Sequence, residues 1–241
     1  MNDRHDRYFG FIREKLEGID NLDSEALRTH RKVLYVAFVD SLSAIVFPAY
    51  SHNRDRFTAF VTQFGNWPDA GRISTPHLAR ALALNPDPAY NKVRALVSQS
   101  FGKWSPGALV PLSQDLEAGV VGTHWPSGRN YEQPVPGASW EHFKHAELLY
   151  SYRNSLVHGF RSLGLSAEAP EDREPYYLSS HDARPDAVSK LPHWELIYPV
   201  AFLSKLAQSS LTAVETHMRA NLIDPVEVLR SGRFWVRALN R

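Results

Sequence analysis

The sequence predicts an all-α protein, a helical bundle with a long Pro/Gly-rich insert and room for one small β-hairpin. Apolar residues recur at helical spacing through most of the chain. That period is lost over 102–139, where prolines alternate with glycines, and over a polar, proline-containing stretch at 166–191. The 241 residues suffice for one domain with insertions or for two small ones. We predict a single helical domain over 1–241, with inserts at about 102–139 and 166–191.

The first hundred residues predict a series of helices. Gly18 can end the first helix, and Asp23 or Ser24 can cap the second, which Pro48 stops. The later half of the second helix is apolar nearly all round, which is typical of a central, buried helix. The predicted helices are 8–16, 27–47, 56–64, 77–84 and 90–101.

Helical spacing returns after the first insert. An apolar stripe predicts a helix over 140–163, and a long amphipathic helix is predicted over 199–220. Between them, the aromatic and β-branched runs at 175–179 and 193–198 could pair as a small β-hairpin. Asp224 and Pro225 favour the start of a short terminal helix, because proline suits the first turn.

Composition narrows the classes of function. The chain has 27 Lys+Arg against 26 Asp+Glu, so no overall field attracts nucleic acid, and such a site would be a local patch. The absence of cysteine excludes disulfides, thiolate metal sites and Cys nucleophiles. The longest apolar run, 33–47, contains Asp40 and is short for a membrane span of roughly 20 residues. We expect a cytoplasmic protein that makes no membrane contact.

One segment of the predicted 140–163 helix carries chemistry, namely Tyr152 to Gly159. Asn154 and His158 are four positions apart and share a helix face. Arg153 and His158 are five apart, so about 140° separates them around the axis. One helix therefore aims both groups at one atom only through the reach of the Arg side chain. Two copies related by a twofold axis could do so in a shared cleft, which favours a homodimer.

Arg and His without a metal suit a narrow range of reactions. The planar guanidinium matches a phosphate and its developing charge, and imidazole transfers protons near neutral pH. The pair suits cleavage of RNA, in which the neighbouring 2′-hydroxyl is the nucleophile and no protein nucleophile is needed. DNA lacks that hydroxyl and should resist this mechanism.

The segment from Arg153 to Gly159 resembles the Arg-Asn-x-x-x-His signature of HEPN-domain ribonucleases. The resemblance implies a homodimeric, metal-independent endoribonuclease of prokaryotic antiviral defence or a toxin, with an antitoxin or sensor protein as a further partner. It implies that Arg153 holds the scissile phosphate, that His158 transfers protons, and that Asn154 positions one of them. Some proteins of this family are inactive modules, so the alternative is a catalytically silent module that binds a nucleotide or a protein. Arg72 to His77 also fits a looser form of the pattern, but Pro76 lies inside it and we do not assign it.

Two further residues are candidates for orienting the substrate or the site. Asp40 lies in an apolar stretch and must be paired or neutral if it is buried. It could orient Arg153 or His158, or equally satisfy a serine or backbone group of the bundle. Tyr152 could stack on a base, although a core aromatic of its apolar stripe is the more ordinary role.

The C-terminal stretch that includes Arg233 and Arg237 is basic, with two aromatic residues between them. It could bind RNA phosphates and stack a base, or form a terminal helix whose aromatic residues dock on the bundle.

Metal and cofactor motifs are not evident. Glu141, His142 and His145 resemble metal ligands only faintly. Residues three apart share a helix face and could supply two ligands, but no third protein ligand is identifiable at a suitable spacing. No phosphate-binding glycine loop or dinucleotide-binding glycine pattern occurs. We expect neither a metal nor a cofactor.

Overall fold

A computed structural model describes residues 2–105, 107–126, 139–163, 168–169, 171–179, 193–225 and 227. These residues are mostly helical and include one small antiparallel sheet, which agrees with the helical class that the sequence predicts. Within the described ranges, no helix combines the length and the hydropathy needed to cross a membrane.

The described helices follow the predicted order but differ in their ends. The predicted 140–163 helix is wrong at both ends, because a 3-10 turn (Trp140–Phe143) precedes the α-helix, which then stops at Gly159. The first helix continues past Gly18 to Asp20. The helices are α1 (Asn2–Asp20), α2 (Arg28–Val46), α3 (Asn53–Phe64), α4 (Thr75–Leu84), α5 (Asn91–Phe101), α6 (Ala118–His124), α7 (His145–Gly159) and α8 (Val200–Ala220).

The sheet contains three short strands, β1 (Leu109–Pro111), β2 (Tyr176–Leu178) and β3 (Glu195–Ile197), in the order β1-β2-β3. The pairing of β2 with β3 confirms the predicted hairpin, with Tyr177 opposite Leu196. Strand β1 and helix α6, by contrast, lie in the stretch 102–139, for which the sequence predicted no regular structure. Val110 of β1 pairs with Tyr177, and Pro111 is tolerated because β1 is an edge strand.

The described residues fall into two compact units. Unit one comprises Met1–Asn66, Leu156–Phe160 and Leu203–Arg241, and unit two comprises Trp67–Ser155 and Arg161–Phe202. The described residues of both predicted inserts belong to unit two.

Unit one packs α1, α2 and α3 with most of α8. Gly65, after α3, is required by packing, because a Cβ there would overlap the backbone carbonyl oxygen of Val61. The Asp20 carboxylate accepts hydrogen bonds from the Tyr35 hydroxyl and, at 3.0 Å, from Ser204 Oγ. Buried apolar residues of α2 recur at helical spacing and form its inner face: Tyr35, Val36, Val39 and Leu42.

Unit two has a core rich in aromatic rings. Trp104 lies between Tyr177 and Trp194, with ring centroids 5.2 Å from each. Trp67 contacts Phe202 at 4.9 Å, edge to face. Such pairs stabilise beyond their buried area and fix the orientation of the rings. These rings surround the polar cluster described below.

Candidate functional site

Helix α7 carries the Arg-Asn-x-x-x-His segment. Arg153 is half-buried, and its Nη1 donates to Asn154 Oδ1 at 3.0 Å. His158 is exposed in the last turn of the helix. The division between the two units passes through α7 after Ser155, so Arg153 and Asn154 belong to unit two and His158 belongs to unit one. The segment is helical throughout, which is the condition for the separation of about 140° between Arg153 and His158.

The C-terminal end of α7 is capped by an unusual residue. Phe160 adopts a left-handed backbone conformation, with φ 50°, and donates its N–H to the Leu156 carbonyl at 3.0 Å. This position after a helix is usually glycine, since a side chain there is strained. The Phe160 ring is exposed and meets the His30 ring edge to face at 4.9 Å. The last turn, which carries His158, therefore ends in a left-handed residue that is phenylalanine where glycine would be usual.

Asp40 and Tyr152 have other contacts. The Asp40 carboxylate forms an ion pair with Arg56 at 3.2 Å within unit one. Arg56 is not among the partners that the sequence analysis named for Asp40, which were Arg153, His158, a serine and a backbone group. Tyr152 is buried, its hydroxyl lies 3.1 Å from Ser162 Oγ, and its ring centroid lies 5.1 Å from that of Tyr198. Tyr152 is thus a core aromatic of unit two.

Arg233 and Arg237 lie outside the described residues, and so does most of the predicted terminal helix.

The three residues that faintly resemble metal ligands are engaged separately. His142 Nδ1 accepts from the Ser139 backbone N–H at 3.0 Å, and Glu141 lies 3.4 Å from the Lys144 ammonium. His145 points into the interior of unit two and contacts a carboxylate. The part of the chain that the structure describes contains no group of three side chains suited to a metal ion.

Unit two contains a buried polar network that the sequence analysis missed. Asp115 Oδ2 accepts from His145 Nε2 at 2.7 Å and lies 2.9 Å from the Tyr177 hydroxyl. The Tyr177 hydroxyl lies 2.6 Å from Ser74 Oγ, which in turn lies 2.7 Å from His77 Nδ1. All of these side chains except His77 are buried, and His77 is partly buried. The network therefore runs from a buried carboxylate to one histidine at its edge.

The start of α4 holds the network in place. Ser74 occupies the N-cap position, yet its side chain makes no capping bond. Instead, Asp115 Oδ1 accepts from the Thr75 N–H at 2.8 Å and so caps the helix from a distant segment. The Ser74 N–H donates to the Phe143 carbonyl at 2.8 Å. The Ser74 hydroxyl is thereby left for the network.

With Asp115 ionised, the number of hydroxyl protons assigns a direction to each hydrogen bond. A carboxylate only accepts, so the single proton of the Tyr177 hydroxyl goes to Asp115. The oxygen of Tyr177 must then accept from Ser74, and Ser74 Oγ must accept from His77 Nδ1–H. Neutral His77 consequently bears a lone pair on Nε2. Burial, and then the neighbouring His145, lower the pKa of His77 to about 4, although Asp115 opposes this.

His77 borders a cavity of about 330 Å³ that lies wholly within unit two. We call it the His77 cavity. Its lining combines three aromatic side chains with three leucines, a serine, a second histidine and a carboxylate. The members that matter below are His77, Tyr152, His193, Trp194, Glu195 and Tyr198.

The neighbouring Ser74, His77 and Asp115 do not form a nucleophilic triad. Ser74 is fully enclosed and shares its proton with Tyr177, so it has no access to a substrate. The arrangement instead holds His77 neutral and in one tautomer. A weak signal in the sequence was the run of polar residues that opens the apolar helix α4, but nothing local marks Asp115 as their partner.

Comparison of the chain with protein-family models, with curated proteins and with solved structures finds no match.

Proposed function

We propose that this protein is a metal-independent endoribonuclease that acts as a homodimer, with Arg153 of one chain and His158 of the other in each site. The observation that carries the proposal is the arrangement of α7. Arg153 is oriented by the adjacent amide oxygen of Asn154, whereas His158 is exposed about 140° away around the same helix. The two groups lie on different sides of one helix, so a second copy is the simplest way to bring them to one phosphate.

The proposed roles follow from the chemistry of each side chain. The Arg153 guanidinium binds the scissile phosphate and stabilises the charge that develops on it. The 2′-hydroxyl attacks phosphorus and gives up its proton, the bond from phosphorus to the 5′-oxygen breaks, and that oxygen takes a proton. His158 is suited to these proton transfers because it is in contact with solvent. The products would be a 2′,3′-cyclic phosphate and a 5′-hydroxyl, as the resemblance to HEPN ribonucleases implies.

Cleavage of a labelled RNA in excess EDTA tests the proposal. We expect His158→Ala to lower the rate by about 10²–10⁴-fold and Arg153→Ala by about 10²–10³-fold. Matched controls are His52→Ala and Arg7→Ala, which remove exposed side chains of the same types elsewhere in unit one.

A second substrate separates this mechanism from others. An RNA with 2′-deoxyribose at the scissile nucleotide should stay intact at that position. Cutting at the deoxy position, or activity that chelation abolishes and Mg²⁺ restores, would contradict the proposal. If no RNA is cleaved at all, the alternative of a silent binding module gains weight.

A further inference from the structure

We propose that the His77 cavity binds a single amino-substituted nucleobase, as the free base or the nucleoside. This inference does not rest on RNA cleavage, because neither Arg153 nor His158 lines the cavity.

The size and walls of the cavity select a planar ring. Its volume, about 330 Å³, is near the lower end of small-molecule sites, which span about 300–1,000 Å³. Tyr152, Trp194 and Tyr198 supply aromatic surface, and the three are buried and held by neighbouring rings. Rigid aromatic walls favour stacking on a flat heterocycle. A polymer does not fit in such a space, whereas one base does.

Two polar groups of the cavity select hydrogen-bond donors on the ligand, whereas Trp194 Nε1–H, a buried donor without a hydrogen-bond partner among the described residues, suits an acceptor such as a ring nitrogen. His77 Nδ1 is occupied by Ser74, so Nε2 is the ring nitrogen left for a ligand, and the direction of the network makes it an acceptor. Glu195 contributes a carboxylate, which also accepts, and its Oε1 lies 3.8 Å from His193 Nε2. Exocyclic amino groups of nucleobases are donors of the required kind, whereas the ring N–H of uridine is flanked by two carbonyl oxygens that would face these acceptors.

Charge argues against an anionic or purely apolar occupant. The Glu195 carboxylate among the lining residues disfavours an anionic occupant such as a phosphate. An aliphatic chain would cover His77 Nε2 without giving it a donor, and a buried acceptor without a partner is unfavourable. An uncharged amino-heterocycle brings no negative charge into the cavity and offers a donor to His77 Nε2.

Titration of the full-length protein with adenosine, guanosine, cytidine and uridine tests the inference. Binding is followed by calorimetry and by quenching of tryptophan fluorescence, since Trp194 lines the cavity. We expect at least one amino-bearing nucleoside to bind at least 10-fold more tightly than uridine, which has no exocyclic amino group. His77→Phe should weaken that binding at least 10-fold, whereas His52→Phe, at an exposed position, should leave it unchanged.

Two further measurements keep the result decisive. If His77→Phe fails to fold, His77→Asn replaces it, and a nucleoside-dependent shift of the Trp194 indole signal in the wild-type NMR spectrum locates the site. Arg153→Ala and His158→Ala should bind the nucleoside as wild type does, so failed cleavage and failed binding are distinguishable. The inference is overturned if none of the four nucleosides saturates below about 1 mM, if uridine binds as tightly as the others, or if binding survives the loss of His77.

Discussion

His158 lies exposed in the last turn of α7 in unit one, whereas His77 borders a cavity in unit two and is hydrogen-bonded to an enclosed serine. His158 can exchange protons with water, as a proton-transfer catalyst must. His77 is kept neutral by burial, which lowers its pKa to about 4. A motif of close spacing identified the first histidine, and only the fold identified the second. The difference teaches that exposure suits a histidine to proton transfer, whereas a buried network suits it to recognition.

The largest expected effect concerns the exposed histidine. Arg153→Ala and His158→Ala should each be nearly inactive alone, and the two preparations are mixed under conditions where dimers exchange. If each site takes one residue from each chain, half of the sites in mixed dimers carry both lesions and half carry neither. Activity should then recover to about a quarter of wild type for random exchange, measured by RNA cleavage. The composite site is rejected if a monomer, verified by light scattering, cleaves at the wild-type rate per chain.

The buried polar network around Asp115 should contribute more to stability than the exposed His158. Asp115→Ala removes the carboxylate that accepts from His145 and caps α4. We expect the free energy of unfolding to fall by about 3–5 kcal/mol, as when one partner of a buried pair is removed. His158→Ala should change it by less than about 0.5 kcal/mol, because the side chain is exposed. Urea denaturation measures both, and a loss below about 1 kcal/mol for Asp115→Ala would mean that the network does not hold unit two together.

The low pKa of His77 predicts a dependence of stability on pH. The unfolded chain binds a proton at this residue as the pH falls below about 6.5, whereas the folded chain binds it only near 4. As the pH falls from about 6.5 to about 4, the contribution of His77 to the free energy of unfolding should therefore decrease by at most about 3 kcal/mol. The charged and titratable groups that act on His77 are Asp115, His145, His193 and Arg80.

His77→Gln removes that contribution. The free energy of unfolding of the variant should lie further below that of the wild type at pH 7 than at pH 4. Denaturation at a series of pH values measures this difference. Parallel pH profiles for the two proteins would contradict the neutral, enclosed state of His77.

The smallest effect concerns the closure of α7 beside His158. Phe160→Gly and Phe160→Ala both remove the ring that meets His30, but only glycine relieves the left-handed backbone. We expect the glycine variant to be more stable than the alanine variant by about 1 kcal/mol, measured by thermal or chemical denaturation. Equal stability of the two would show that the strain at this position is negligible.

The sequence predicted what depends on neighbours along the chain. Apolar spacing located α2 and α8, and aromatic and β-branched runs located the β2–β3 hairpin. It failed where partners are distant, since Val110 becomes a strand only because Tyr177 pairs with it. It also failed at the end of α7, because a phenylalanine in the left-handed region has no signature in the sequence.

The candidate sites divide in the same way. Arg153, Asn154 and His158 could be named because they lie within six positions of one helix. The ion pair of Asp40 with Arg56 could not be chosen from the sequence, because several partners were open to a buried carboxylate. His77 was set aside as a poor match to the motif, and its actual partners join residues that are distant in the chain.

The hydrogen bond between Ser74 and Tyr177 spans 103 positions of the chain. During synthesis the Ser74 segment leaves the ribosome long before Tyr177 does, and chains fold from the N-terminal side as they emerge. Until Tyr177 arrives, Asp115 and Ser74 are hydrated and His77 can adopt either tautomer. The nascent chain can thus form its local helices early, but the recognition chemistry of unit two arises only when β2 has been made.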